Sequence, residues 1–327
     1  MAGLFQSCDL YAAIRPRNPS QFRRIISTTL RIRSNWPCCP CQGVGLMPDT
    51  ESKRPLREEA FSIPVDTGRV FAFLHEPVAP AATAVVMVHA CAEEKNWAHR
   101  VYVSFARNLA RRGIAALRID CRGEGESDLE FEDSTLETRV ADAVGAVRFL
   151  RAQRPDLRNI VLLGHRLGAM VAALAAVELG GELGALVLWD PVYDGRTYLL
   201  QVLRQHLAAQ MAASGRVSVP REELLRKMTV GELIVIEGYG FGGKFCKEVL
   251  AASWVDNAAV FRNPTLITEI ASSEVPRLSQ QAESIVGAHS VVTAISVKEP
   301  AFWRENRDYI QWAPALTAST VQWLESL

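Results

Sequence analysis

Residues 159–169 read Asn-Ile-Val-Leu-Leu-Gly-His-Arg-Leu-Gly-Ala, a short apolar run that ends in Gly-x-x-x-Gly and enters a helical pattern. A strand that turns this abruptly into a helix needs small residues on both sides of the turn, because a Cβ there meets the neighbouring strand or the incoming helix. Gly164 and Gly168 hold those two places. They restrict the chain to folds in which a buried parallel strand feeds a helix through one strained central residue. Enzymes built on this turn put a serine nucleophile at its centre. Here the centre is Arg166, whose guanidinium keeps its proton at physiological pH and has no lone pair with which to attack an acyl carbon. The turn predicts a fold and withholds the usual chemistry.

The flanking pattern extends that fold. Runs at 61–64 and 70–74, joined across Asp66-Thr67-Gly68, predict an antiparallel edge hairpin. Apolar runs at 84–88, 114–119, 160–163 and 186–189 suit strands buried on both faces, and helical periodicity separates them. The helix after residue 135 carries Leu136, Val140, Val144, Val147 and Leu150 on one face. Such alternation predicts a doubly wound, mostly parallel α/β sheet with right-handed crossovers. It lapses between Val192 and Asn263 and resumes at 266–270 and 291–297, with a closing helix at 316–327. The predicted organisation is an extension at 1–46, a core at 47–190 and 264–327, and an inserted cap at 191–263. Within the insertion, 198–213 and 221–228 read as helices and 232–236 as a strand. Gly238, Gly243 and Lys244 have the spacing of a phosphate loop, but Phe245 stands where Ser or Thr must reach magnesium, so the run reads as a flexible turn.

Composition excludes several classes. Lys plus Arg equals Asp plus Glu at 36 each, which leaves no broad basic footprint for nucleic acid or anionic membrane. The apolar stretch at 169–188 is interrupted by Glu178, Glu182 and glycines, and it makes no transmembrane segment. Seven cysteines, four of them at or before Cys41, predict no disulfide framework and a reducing, cytoplasmic setting. The first 46 residues hold six arginines against one acid and end in the Cys38, Cys39 and Cys41 cluster, which lacks the fourth ligand and the spacing of a zinc site. Met47 reads as the true start, the upstream part being disordered or non-native. No metal or cofactor is expected.

A serine hydrolase on this scaffold needs a nucleophile, an acid and a histidine in that chain order. Arg166 takes the first place, and residues 298–303, after the last strand, contain no histidine. Glu274 is the candidate acid. Cys91, in the loop after the strand at 84–88, is the alternative nucleophile, with His89 nearby to activate it. Ser127 reads as a turn serine, His165 as structural, and His289 as lying at the far end of the sheet from the pocket. What remains is a pocket with donors: the N–H of Leu167 at a helix start, and those of Ala90 and Cys91. Arg166 then either forks onto Glu93 or Glu94 as a structural ion pair or holds an anionic or acyl ligand.

The segment 88–94, the elbow Gly164-His165-Arg166-Leu167-Gly168-Ala169, the run Asp190-Pro191-Val192 with Gly195-Arg196, and Glu299-Pro300-Ala301-Phe302-Trp303 together resemble the second type of exosortase-associated hydrolase. Three positions depart from that family's pattern. Ala90-Cys91 replaces the expected Pro-Phe, and His165 replaces the usual Leu. The resemblance covers residues 62–327 and implies an α/β-hydrolase fold with a cap, in bacteria that sort surface proteins and make exopolysaccharide. It implies partners in that exosortase and exopolysaccharide system. The expected function is a binding or accessory role without a Ser-His-acid triad. The alternative is an active ester or thioester hydrolase that uses Cys91, or a water held by Glu93 and Glu94.

Overall fold

The computed structural model describes residues 54–305 and 309–327. The arginine-rich extension, its cysteine cluster and Met47 lie outside the described residues. The chain opens with β1 (Leu56–Val65) and β2 (Gly68–Pro77), a hairpin in which Val65 faces Gly68 across the two residues Asp66 and Thr67. There follow β3 (Thr83–Val88), α1 (Glu93–Arg111), β4 (Ala115–Asp120), α2 (Leu136–Gln153), β5 (Asn159–His165), α3 (Leu167–Leu179) and β6 (Ala185–Trp189). The insertion contributes α4 (Gly195–Ser214), α5 (Arg221–Val230), β7 (Ile234–Ile236), β8 (Tyr239–Phe241) and α6 (Gly243–Ala251). β9 (Thr265–Ala271), α7 (Gln280–Ala288), β10 (Val292–Lys298) and α8 (Pro314–Glu325) complete the order.

Among the described residues the main sheet runs β1-β2-β4-β3-β5-β6-β9-β10, and every pairing beyond β2–β4 is parallel. β5 lies near the middle, with Val88 and Leu188 level with Gly164 on either side. The pleat sorts the core: Val85 and Met87 pack with α1 and α8 on one face, and Val86 and Val88 pack with α2 and α3 on the other. Leu199, Leu203, Leu224, Met228, Phe245 and Val249 of the insertion belong to the second of these cores. The insertion is thus packed continuously onto the α2–α3 side.

The glycine-rich run at 238–244 forms a hairpin turn, the strand β8 and the start of α6. Glu237 and Gly238 take φ of 52° and 86°, the left-handed pair that a two-residue hairpin turn between β7 and β8 requires. A Cβ on Gly242 or Gly243 would collide with the backbones of Glu132 and Gly231, so those two glycines permit close approach. Among the described residues no helix is long and apolar enough to cross a membrane.

Candidate functional site

The elbow forms at the carboxyl end of β5. Arg166 adopts φ 55° and ψ −121°, outside the regions an L-residue prefers, and α3 begins at the next residue. The neighbours impose this backbone. A Cβ on Gly164 would strike the carbonyl of Gly168, and one on Gly168 would strike those of His89 and Val88. Arg166 N donates to Trp189 O at 3.0 Å, and Arg166 O accepts from Ala169 N at 3.0 Å and Val192 N at 3.3 Å.

The Arg166 side chain is buried and crowded with partners. Nε donates to Glu94 Oε1 at 3.2 Å, Nη1 to Asp190 Oδ2 at 3.1 Å and Nη2 to Gln201 Oε1 at 3.4 Å. Its guanidinium carbon lies 5.4 Å from the ring centre of Trp303 and 5.8 Å from that of Tyr198. Of the two acids expected from the sequence, Glu94 makes the pair and Glu93 does not. Asp190 was not expected. It follows β6 directly, at φ 41°, where its N–H donates to Thr268 O at 2.7 Å and its Oδ1 accepts from Ile270 N at 3.2 Å. Burial raises the carboxyls of Glu94 and Asp190 above their ordinary range in spite of Arg166. Burial works against the Arg166 charge, but Glu94 and Asp190 outweigh it and hold the proton more firmly. One cation therefore faces two carboxylates.

The loop after β3 is held from beneath. Ala92, at φ 55°, donates its N–H to Glu124 Oε1 at 3.0 Å, and Arg139 reaches the same oxygen at 3.2 Å. Burial acts to raise the Glu124 carboxyl, but Arg139, His89 and Lys95 bring it down to about 2. His89 Nδ1 lies 2.7 Å from Ala90 O, and burial together with Lys95 lowers this histidine to about 4. Cys91 is only 2% exposed, and burial pushes its thiol well above the usual range. That shift removes the thiolate on which nucleophilic attack depends.

The other candidates are dispersed. Glu274 is exposed and pairs with Lys298 at 2.6 Å. Ser127 Oγ donates to Asp120 O and accepts from Phe71 N, as a turn serine does. His289 caps the end of α7, before β10. His165 is buried against Tyr102, Phe302 and Trp303, and neither ring nitrogen has a hydrogen-bond partner. Glu299 accepts from Ala315 N at 2.6 Å and Leu316 N at 3.3 Å, capping α8. Ala90 and Leu167 are fully buried around the elbow. Cys91, Glu93 and Glu94 line a small cleft whose far wall is built by Tyr198 and Gln205 of α4 and by the β7–β8 hairpin. Among the described residues no group of three or more His, Cys, Asp or Glu side chains is placed to hold a metal ion.

The profile of the family described as serine aminopeptidase, S33, matches residues 79–276. No curated protein is matched by the sequence. Solved structures with a similar fold include Est1E from Butyrivibrio proteoclasticus with ferulic acid bound, at 17% identity and a TM-score of 0.58, covering 82% of this chain and 98% of that one. The Pyrococcus furiosus esterase Pf2001 is similar at 13% identity and a TM-score of 0.55, over 88% and 96% of the two chains. A thioesterase domain from the curacin biosynthetic pathway is similar at 14% identity and a TM-score of 0.50, over 81% and 99%.

Proposed function

Because the chain belongs to the serine aminopeptidase, S33, family of the α/β-hydrolase superfamily, we propose that it is a member whose elbow serves binding and not covalent catalysis. The observation that carries this reading is Arg166, seated at the elbow centre and tied to Glu94 and Asp190. It fills the space a nucleophile would use with a group that cannot attack. The end of β10 supports the same reading, since Phe302 and Trp303 pack there against His165 and no histidine follows β10 in the sequence. Cys91 as an alternative nucleophile is disfavoured by its raised thiol, and a water held by Glu94 is disfavoured because that carboxylate is engaged by Arg166 and Tyr198.

The insertion at 191–263 acts as a cap, contributing Tyr198, Gln205 and the β7–β8 hairpin to the wall of the cleft. An anionic or acyl ligand, which Arg166 alone suggests, finds that charge already matched by two carboxylates. The physiological setting, an accessory role beside exosortase and exopolysaccharide proteins in the bacterial cytoplasm, rests on the motifs at 88–94, 164–169, 190–196 and 299–303. The test is turnover of short and medium acyl esters and thioesters by the wild type, Arg166→Ala and Cys91→Ala. The expected result is no activity above a heat-denatured control in any of the three. Activity that disappears with Cys91→Ala would replace the binding reading with a thiol hydrolase.

A further inference from the structure

Between the start of α1 and the β7–β8 hairpin lies a cavity of about 30 Å³. Its walls carry the carboxylates of Glu93, Glu94 and Glu237 and the rings of Tyr198, Tyr239 and Phe241, and no lysine or arginine is among its described lining residues. Carboxylates alone would describe a solvated rim. The rings make a different surface, because aromatic faces attract cations beside the acids.

The chain already contains a cation bound in this manner. Arg166 meets Glu94 at 3.2 Å and lies 5.8 Å from the ring centre of Tyr198, and those two residues also line the cavity. The guanidinium is thus an internal stand-in for what the same wall accepts from the other side. Charge balance points the same way. Arg166 is taken up by Glu94 and Asp190, so Glu93 and Glu237 have no basic partner among the residues that line the cavity. The wall is also set in advance of any ligand. Asn96 Nδ2 donates to Glu93 Oε2 at 3.2 Å and to Tyr239 Oη at 2.7 Å, and Phe131 packs against Tyr239 and Phe241 at 5.0 and 5.3 Å. Such preorganisation lowers the entropic cost of binding.

Resting on the binding reading above, we propose that this cavity receives the ammonium head of a small organic cation. Its N–H groups donate to Glu93 and Glu237, and its first methylenes lie against the Tyr239 and Phe241 rings. The volume accommodates about two waters, which suits an ammonium head with its chain leading out past Glu237. It does not suit a whole sugar or an acyl chain.

The experiment is calorimetric titration of the full chain with n-butylammonium chloride at constant ionic strength, beside sodium butyrate and sodium chloride. Glu93→Gln and Glu237→Asn are titrated in parallel. Asparagine accepts the left-handed backbone at position 237, and a thermal melt checks that both variants fold. Saturable binding of n-butylammonium, weakened about tenfold or more in each variant and absent for butyrate, is expected. Heats equal to those of sodium chloride, butyrate binding as tightly as the amine, or unchanged affinity in both folded variants would overturn the proposal. The two readings fail separately. Ester turnover by the same preparation removes the non-catalytic reading while leaving amine binding as a substrate contact, whereas absent amine binding without turnover removes only the cation site.

Discussion

Replacing Arg166 by methionine retains an apolar stem at the elbow and deletes its charge. Each ion pair, at 3.2 Å to Glu94 and 3.1 Å to Asp190, corresponds to an attraction of roughly 5 kcal/mol at an effective dielectric of about 20. Desolvation offsets most of that. Truncating one member of such a cluster nevertheless costs about 3–5 kcal/mol, because the remaining charges stay buried without a partner. The loss should depend on pH. Glu94 and Asp190 already hold their protons more tightly than free carboxyls because of burial, and removing the cation strengthens that tendency. A carboxyl whose native pKa is raised gains stability as pH falls from the native toward the unfolded value, by about 1.4 kcal/mol per pH unit for each proton bound. Urea denaturation of Arg166→Met should therefore show a loss of about 3–5 kcal/mol at pH 7.5 that shrinks clearly at pH 5.5, each compared with wild type at the same pH. Adding Glu94→Gln should restore part of it at pH 7.5. A loss below about 1 kcal/mol at pH 7.5, or an equal loss at both pH values, would refute the reasoning.

His165→Leu should stabilise the fold by about 1–3 kcal/mol in urea titrations, since it removes two unpaired ring nitrogens from a buried aromatic pocket. Burial holds His75 and His89 down to about 4 and His165 well below its usual value. A depressed histidine contributes stability that is complete above about pH 6.5 and is lost as pH falls toward the folded value, so stability should drop between pH 6.5 and 4, less steeply in His165→Leu. Gly168→Ala places a Cβ against the carbonyls of His89 and Val88, and a loss of about 3 kcal/mol or more, or insoluble protein, is expected on expression and thermal melting. Cys91, Cys121 and Cys246 are buried, with thiols raised by burial. Ellman titration at pH 8 should find them unreactive in the native chain and reactive in guanidinium.

The fold was legible because its signals are local and repeated: two glycines set four apart, and apolar runs alternating with helical periodicity. Element ends were less so. α4 starts at Gly195, three residues before the expected helix, because Asp194 accepts from Thr197 N and caps it. α7 was not expected, since its nine residues expose most of their length and bury only Ala282 and Ile285. In the site, the sequence narrowed the partner of Arg166 to Glu93 or Glu94 but did not choose, because consecutive residues at a helix start point in different directions. Asp190 was missed as a partner. It reaches Arg166 through the β5–β6 register, which sets His165 level with Trp189, and through its own left-handed backbone. An acid at the carboxyl end of the strand beside the elbow was the available signal. Tyr198 and Gln201 come from the insertion, and their positions depend on packing that no neighbouring residue in the sequence announces.

The β6–β9 pairing carries a consequence for how the chain is made. β6 is buried along its whole length, and its outer edge is hydrogen-bonded by β9, with Leu186 opposite Thr265 and Trp189 opposite Thr268. Until synthesis passes the insertion, that apolar edge has no partner, and contacts of such sequence separation form slowly. At roughly 5–20 residues per second, translating the intervening segment takes several seconds. During that interval the nascent chain presents a template for edge-to-edge association. Chains released before β9 should aggregate, and full-length yield should respond to whatever shields β6 on the ribosome.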